Sequence, residues 1–178
     1  MILVSIFLFI FYSFVIIIIG TYIWGGILAA PWVPLRKRDI KRMLALADLR
    51  SGQIMYDLGC GDGRLLIAAY KQYNARPIGF EISVFPYLIA KIKIFFLGLG
   101  SKVTVKYQNF YNYNLADADA VTMFLMPKAF KKLKPKLLAE LKPGCRIVSY
   151  TFKIPDLQPE AVDKPNPKDL SIYVYQKK

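Results

Sequence analysis

The sequence predicts an α/β fold: a mostly parallel, doubly wound sheet that ends in an antiparallel hairpin, with one membrane-crossing helix in front of it. Three observations carry this. The first 35 positions contain none of the 25 Lys+Arg and 12 Asp+Glu residues. Behind them, short apolar strand-like runs alternate with amphipathic helical stretches, the pattern of right-handed βαβ units. A glycine-rich turn stands where the first of those strands passes into a helix. Residues 36–178 are charged to the extent usual for one soluble domain and carry the whole formal net charge of +13.

From Ile2 to Ile23 the chain runs 22 residues without a charge, dominated by Ile, Phe, Leu and Val, and about 20 suffice for a helix to cross the hydrocarbon core. Tyr22, Trp24 and Trp32 cluster at the far end, as an interfacial aromatic belt would. Gly25-Gly26 and then Pro31 and Pro34 are expected to break the helix before Arg36-Lys37-Arg38. A cleaved signal peptide is the competing reading, since Ala29-Ala30 offers small residues. That would want basic residues in front and a shorter apolar core. The segment therefore reads as an uncleaved transmembrane anchor (1–24) and a juxtamembrane linker (25–37), with the folded domain at 38–178. Positive residues follow the span and none precedes it. The positive-inside rule then puts the domain of this single-pass membrane protein on the cytoplasmic side, or in the mitochondrial matrix.

In the domain, Ile40, Met43, Leu44 and Ala47 recur at helical spacing, giving a helix from about Arg38 to Leu49 that Ser51-Gly52 ends. Ile54 to Leu58 is a short apolar strand. Leu65, Leu66, Ala68 and Ala69 continue as a helix to about Tyr73, and Ile78 to Ile82 is the next strand. Phe85, Leu88, Ile89, Ile92, Phe95, Phe96 and Leu99 trace one face of a helix that Gly98 and Gly100 close. Val103 to Tyr107 alternates like a strand, and Ala120 to Met126 reads as a buried one. Phe130, Leu133, Leu137, Leu138 and Leu141 mark a helix, interrupted or restarted at Pro135. After the strand Ile147 to Phe152 there is no helical stretch. A proline-rich loop leads to a last strand, Ser171 to Gln176, so an antiparallel hairpin is expected to finish the sheet. In such a fold the ligand sits at the carboxyl ends of the strands.

Composition excludes several chemistries. Without a single histidine, neither a Ser-His-Asp nor a Cys-His centre exists, and no metal is held through imidazole. Cys60 and Cys145 are too few for a four-thiolate zinc site or a disulfide framework. No metal site is expected.

The informative stretch is Tyr56-Asp57-Leu58-Gly59-Cys60-Gly61-Asp62-Gly63-Arg64. Glycines suit a sharp strand-to-helix turn because the backbone visits positive φ and a ligand must approach it closely. A dinucleotide site would want G-x-G-x-x-G and a pyrophosphate on the helix N-terminus. Here the third glycine comes one residue early, and Asp57 and Asp62 would repel a pyrophosphate. Carboxylates instead favour a cation such as the ammonium and sulfonium of S-adenosylmethionine. Glu81 ends the second strand, 24 positions after Asp57, where a carboxylate accepts from both ribose hydroxyls. Candidate donor-binding residues are thus Asp57, Gly59, Gly61 and Glu81. Asn109-Phe110, after the third strand, is placed to bond and stack on the adenine, or Phe110 is core. The alternatives to a methyl-donor site are a purely structural turn and a nicotinamide site.

Leu125-Met126-Pro127 ends the fourth strand, where methylases of base or amide nitrogens usually carry an Asn/Asp-Pro-Pro-aromatic motif. Its absence, and the lack of an aromatic-rich RNA-binding signature, make nucleic acid an unexpected partner. The basic run Lys128, Lys131, Lys132, Lys134, Lys136 and Lys142 is a solvated helix face, an RNA contact or a seat for anionic headgroups.

Several segments together resemble one family. They are Pro31-Trp32-Val33-Pro34, the glycine turn, Gly79-Phe80-Glu81-Ile82, Leu137 through Gly144, and Phe152 through Pro159. The chain is similar, from Pro31 to Lys178, to the seven-β-strand protein-lysine methyltransferases that modify the ATP synthase c subunit and the adenine nucleotide translocase, and to their archaeal relatives. The resemblance implies a class I methyltransferase fold, S-adenosylmethionine as donor, and a protein lysine ε-amine as acceptor. By position it assigns Asp57, Gly59, Gly61 and Glu81 to the donor and Asn109 to the neighbourhood of the adenine. Without a histidine no catalytic acid or base is assigned, and Tyr111 and Met126 read as core packing or as channel walls. A methyltransferase acting on RNA or a small molecule, or an inactive membrane-tethered module, are the competing functions.

Overall fold

A computed structural model of the chain describes residues 2–28 and 32–178. Ala29, Ala30 and Pro31 lie outside the described residues, as do the side chains of Tyr22 and Trp24, so the cleavage-site and belt readings at those positions have no structural counterpart. Helix α1 spans Ile2–Leu28, and its stretch Ile2–Thr21 is long and apolar enough to cross a membrane. The helix runs through Gly25-Gly26, where the sequence suggested a break. A helical glycine costs only about 1 kcal/mol against alanine, too little to end a long apolar helix.

The domain follows the predicted alternation: α2 (Lys37–Ala47), β1 (Ile54–Leu58), α3 (Arg64–Tyr73), β2 (Arg76–Glu81), α4 (Val84–Phe96), β3 (Thr104–Tyr107), β4 (Ala120–Met123), α5 (Pro127–Glu140), β5 (Arg146–Tyr150), β6 (Ala161–Asp163) and β7 (Ile172–Gln176). The seven strands form one sheet in the order β3-β2-β1-β4-β5-β7-β6. The first five are parallel, while β7 pairs antiparallel with both β5 and β6. The expected terminal hairpin is therefore present, with β6 as a short edge strand inside the proline-rich loop. The order reverses beside β1, at the point between β1 and β4 where an open α/β sheet leaves a crevice at its carboxyl ends.

Apolar side chains pack on both faces of the sheet. One cluster joins Met43, Leu44, Leu66, Ala90 and Ile94 to Met55 and Val148. The other joins Phe130, Leu133 and Leu137 of α5 to Tyr56, Phe80 and Val121. Helix α5 is continuous through Pro135, which the sequence read as an interruption. Pro135 and Lys131 are exposed, so the Lys131 carbonyl left without its helical donor faces water.

Helix α4 turns the other way from its sequence pattern. Its core side is made by Pro86, Ala90 and Ile94. The stripe of Phe85, Leu88, Ile92, Phe95 and Phe96 faces outward, with Phe96 80% exposed. Trp32, read as part of an aromatic belt, instead folds back towards the glycine turn.

Candidate active site

Strand β1 delivers Asp57 and then turns at Gly59. The backbone N–H groups of Gly59 and Cys60 both donate to the Phe80 carbonyl at 3.0 Å, which pins the loop to the end of β2. Gly59, Gly61 and Gly63 all have positive φ, at 84°, 54° and 73°. At Gly61 the demand is also steric: a Cβ would stand 2.5 Å from the Trp32 indole. Gly79, on β2, is needed for a different reason. A Cβ there would meet Cys60 at 2.6 Å and Leu66 at 2.5 Å, so the glycine lets the loop and α3 close onto the strand.

Asp57 stands in register with Thr122 on β4. The Thr122 hydroxyl donates to Asp57 Oδ1 at 2.8 Å. Burial pushes the Asp57 carboxyl up to about 7; the Thr122 bond opposes this and the nearby Glu81 carboxylate adds to it. Glu81 accepts three backbone N–H groups: Gly61 at 3.0 Å on Oε2, and Ile82 at 2.9 Å and Ser83 at 2.8 Å on Oε1. Burial raises Glu81 as well, against the lowering effect of those bonds. The partners of both acids are thus a hydroxyl and backbone amides, which leaves their charge uncompensated.

Asp62 differs, and here the sequence reading needs correcting. Its carboxylate is bonded by Arg64 and by Lys93. Burial would raise Asp62, but the two cations outweigh it and hold it low. Asp62 lines the cavity with its charge already paired, and Arg64 also donates to the Leu35 carbonyl at 2.7 Å, tying the segment before α2 to the loop.

Asp57, Gly59, Gly61 and Glu81 line one cavity at the carboxyl ends of β1 and β2, with Trp32, Leu35, Phe110 and Leu125 among its walls. Asn109 does not line it. Its Oδ1 accepts from the Tyr111 N–H at 3.0 Å, capping the short turn Phe110–Asn112. It borders a separate depression with Thr21 and Tyr107. The side chain that reaches the cavity from this turn is Phe110. Tyr111 donates its hydroxyl to the Ala129 carbonyl at 3.0 Å, and Met126 is exposed at the start of α5, so neither lines the cavity.

Two contributors went unread in the sequence. Trp32 was assigned to a membrane interface because of its company, and Thr122 lay within a run read only as a buried strand. The signal for Thr122 was its hydroxyl amid apolar neighbours, since a buried hydroxyl needs a partner.

These residues fit a cationic adenosyl ligand. Asp57 and Glu81 face the cavity as buried carboxylates without a cationic partner among the described residues, and apolar and aromatic walls accept a flat ring. A family model described as the ANTKMT methyltransferase domain matches residues 57–161, from Asp57 to the first residue of β6. A protein-lysine N-methyltransferase of Saccharolobus islandicus (strain REY15A) is 38% identical over 146 residues, covering 82% of this chain and 91% of its own length.

The chain belongs to the ANTKMT methyltransferase family.

Another relative, the adenine nucleotide translocase lysine N-methyltransferase of Mus musculus, is 35% identical over 76% of this chain. The matched part is 58% of the mouse protein. Among solved structures, an RNA methyltransferase from Salinibacter ruber in complex with S-adenosyl-L-homocysteine superposes with a TM-score of 0.76 at 30% identity. It covers 81% of this chain and 93% of its own. The fold is thus the class I methyltransferase fold, and the chain is an S-adenosylmethionine-dependent methyltransferase. When bound, that donor supplies a methyl group on a sulfonium, already activated towards a nucleophile.

Proposed function

We propose that this enzyme methylates a lysine ε-amine of a membrane protein, working from the single-pass anchor 1–24 with its domain 38–178 on the cytoplasmic or matrix side. The observation that carries this is the position of the cavity next to the apolar helix. Thr21, where the apolar span ends, bonds Ser83 and Val84, and Ser83 is two residues from the cavity's Glu81. A site in that place meets acceptors held close to the bilayer surface. The two relatives above are named for lysine methylation, one of them on a membrane carrier.

In this reading Asp57, Gly59, Gly61 and Glu81 hold the donor: Asp57 by charge, Glu81 as a ribose acceptor, the glycines through the positive-φ turn that forms the cavity wall. Asn109 acts at one remove, by fixing the turn that presents Phe110. The acceptor amine must arrive neutral although free lysine has a pKa of about 10.4. Apolar walls such as Leu125 and Phe124 disfavour its charged form. No side chain is assigned as a base, so the proton leaves to water before transfer. The protein's work is orientation and water exclusion.

An RNA acceptor is the second reading, favoured by the name of the Salinibacter neighbour, an RNA methyltransferase, and by the net charge of +13. The segment after β4, Phe124-Leu125-Met126-Pro127, offers no amide or acid to grip a base edge. Incubating the detergent-solubilised enzyme with radiolabelled donor, host membranes and host RNA separates the two. Label recovered as methyl-lysine from a membrane protein is expected. Label in RNA, or in extractable lipid, overturns the proposal.

A further inference from the structure

Resting on the anchor reading above, we propose that the outward face of α4 lies in the headgroup region of the bilayer that α1 crosses, giving the enzyme a second, in-plane membrane contact. Helix α4 carries its small side chains inward and its large apolar ones outward. Pro86, Ala90 and Ile94 are buried, whereas Phe85, Leu88, Ile92, Phe95 and Phe96 are exposed, the two last by 77% and 80%. At about 100° per residue, this stripe covers roughly a third of the helix circumference, opposite Ala90. Lys91 and Lys93 fall at its two borders. Lys93 sets its ammonium on Asp62, whereas Lys91 is exposed, so the cation open to the surroundings stands on the Lys91 border of the stripe. A helix with bulky aromatics on one arc and an exposed lysine at its border is built to lie in an interface plane, the Lys91 stem along the apolar layer and its charge towards phosphates.

The contacts of α1 set the depth. The apolar span of α1 ends at Thr21. The Thr21 carbonyl accepts from the Ser83 hydroxyl at 3.4 Å, and its hydroxyl accepts from the Val84 N–H at 3.3 Å. The first turn of α4 is thereby fixed at the level where the span meets water. Neighbouring groups agree with that level. Tyr87 packs on Tyr107 with ring centroids 5.3 Å apart, and Tyr107 is 52% exposed, the placement of aromatic residues at a membrane–water boundary. Exposed apolar patches of this kind mark interaction surfaces in soluble domains. Here continuity with α1 identifies the bilayer as what covers the patch. The consequence is orientation: one helix alone leaves the domain free to turn about its tether, while two contacts set the tilt of the cavity mouth against the membrane.

The test uses the full chain in nanodiscs of phosphatidylcholine and phosphatidylglycerol. Cys60 and Cys145 are both buried, so an introduced cysteine takes a fluorescent label selectively. Labels go to Phe96→Cys on the stripe, Ile10→Cys within the span, and Val162→Cys on β6, at the sheet edge away from α4. Brominated lipid should quench positions 96 and 10 several-fold more than position 162, and aqueous iodide should show the reverse order. If position 10 is quenched by lipid while 96 behaves like 162, the α4 contact is overturned and the anchor stands. If position 10 also escapes lipid, the anchor reading itself has failed. Shielding of 96 without lipid quenching, appearing only with two chains per disc or only with an added acceptor protein, also overturns the contact in favour of that partner. A Phe95→Glu/Phe96→Glu chain should keep its calorimetric donor affinity and lose lipid quenching of a label at Leu88→Cys. Retained quenching there contradicts the proposal.

Discussion

Asp57 concentrates the electrostatics of the site in one carboxyl. Burial raises it to about 7, and its one strong opposing contact is the Thr122 hydroxyl. In the ligand-free protein a raised acid stabilises the fold below the unfolded value of about 4 and loses that contribution as pH rises through its folded value. A cationic donor prefers the ionised form, so binding expels the proton. Donor affinity should therefore climb by up to about tenfold per pH unit below 7 and level off above it. Calorimetry across that range in buffers of different ionisation enthalpy reads both the affinity and the released proton. Asp57→Asn should bind weakly and with a flat profile. A pH-independent affinity in the unmodified enzyme would remove Asp57 from the donor's surroundings. Glu81 is a poorer probe, because its carboxylate also holds the N–H groups of Gly61, Ile82 and Ser83, and its loss would loosen the loop itself.

Between elements, the contact that most needs explaining is α2 against the terminal hairpin. Arg42 donates to Asp39 at 2.8 Å, to Asp163 Oδ2 at 2.7 Å, and to the carbonyls of Asp163 and Leu170 at 3.1 Å. Asp39 in turn accepts from the Tyr150 hydroxyl at 2.9 Å. Burial, then the bond to Asp39, pushes Tyr150 up to about 12. Removing Arg42 leaves Asp39 buried without its cation, a loss of about 3–5 kcal/mol for such a pair. Arg42→Met should lower the denaturation midpoint accordingly and speed hydrogen exchange first in β6 and β7, whereas a surface change such as Lys41→Met should do neither. Elements were legible in the sequence where a local rule decided them. The run Ile54 to Leu58 ahead of glycine could only be a buried strand, and Gly59 through Gly63 could only turn. Where the decision was made across the fold, the sequence was silent. Three residues of β6 are chosen by their pairing with β7, not by their own pattern. The apolar arc of α4 pointed to its bulky side, yet the sheet accepted the side of Ala90, because small residues let the helix come close. The glycine turn was readable for the same reason as β1, since it is written in consecutive residues, and Glu81 because it closes the next strand. Thr122 and Trp32 were not, because each reaches the site from another part of the chain.

At the scale of the molecule, the proposed function combines the cavity with a membrane tether. In the proposed reading no side chain is assigned as a base, so turnover depends on how often a neutral amine is presented to the cavity. If catalyst and acceptor share one bilayer as proposed, free encounter is replaced by a high local concentration, with the Thr21 contacts to Ser83 and Val84 holding the site near that surface. Methylation should consequently depend on sharing a membrane. Enzyme produced in host membranes should label its acceptor at least about a hundredfold faster than the same amount supplied in separate nanodiscs, the gain expected when a second encounter becomes intramolecular. Added detergent, by mixing the two populations, should erase the difference. Labelled donor, gel separation and counting of the acceptor band measure it directly. Equal rates from shared and separate membranes would mean that the acceptor diffuses to the site from solution and that the anchor serves only to hold the enzyme in place.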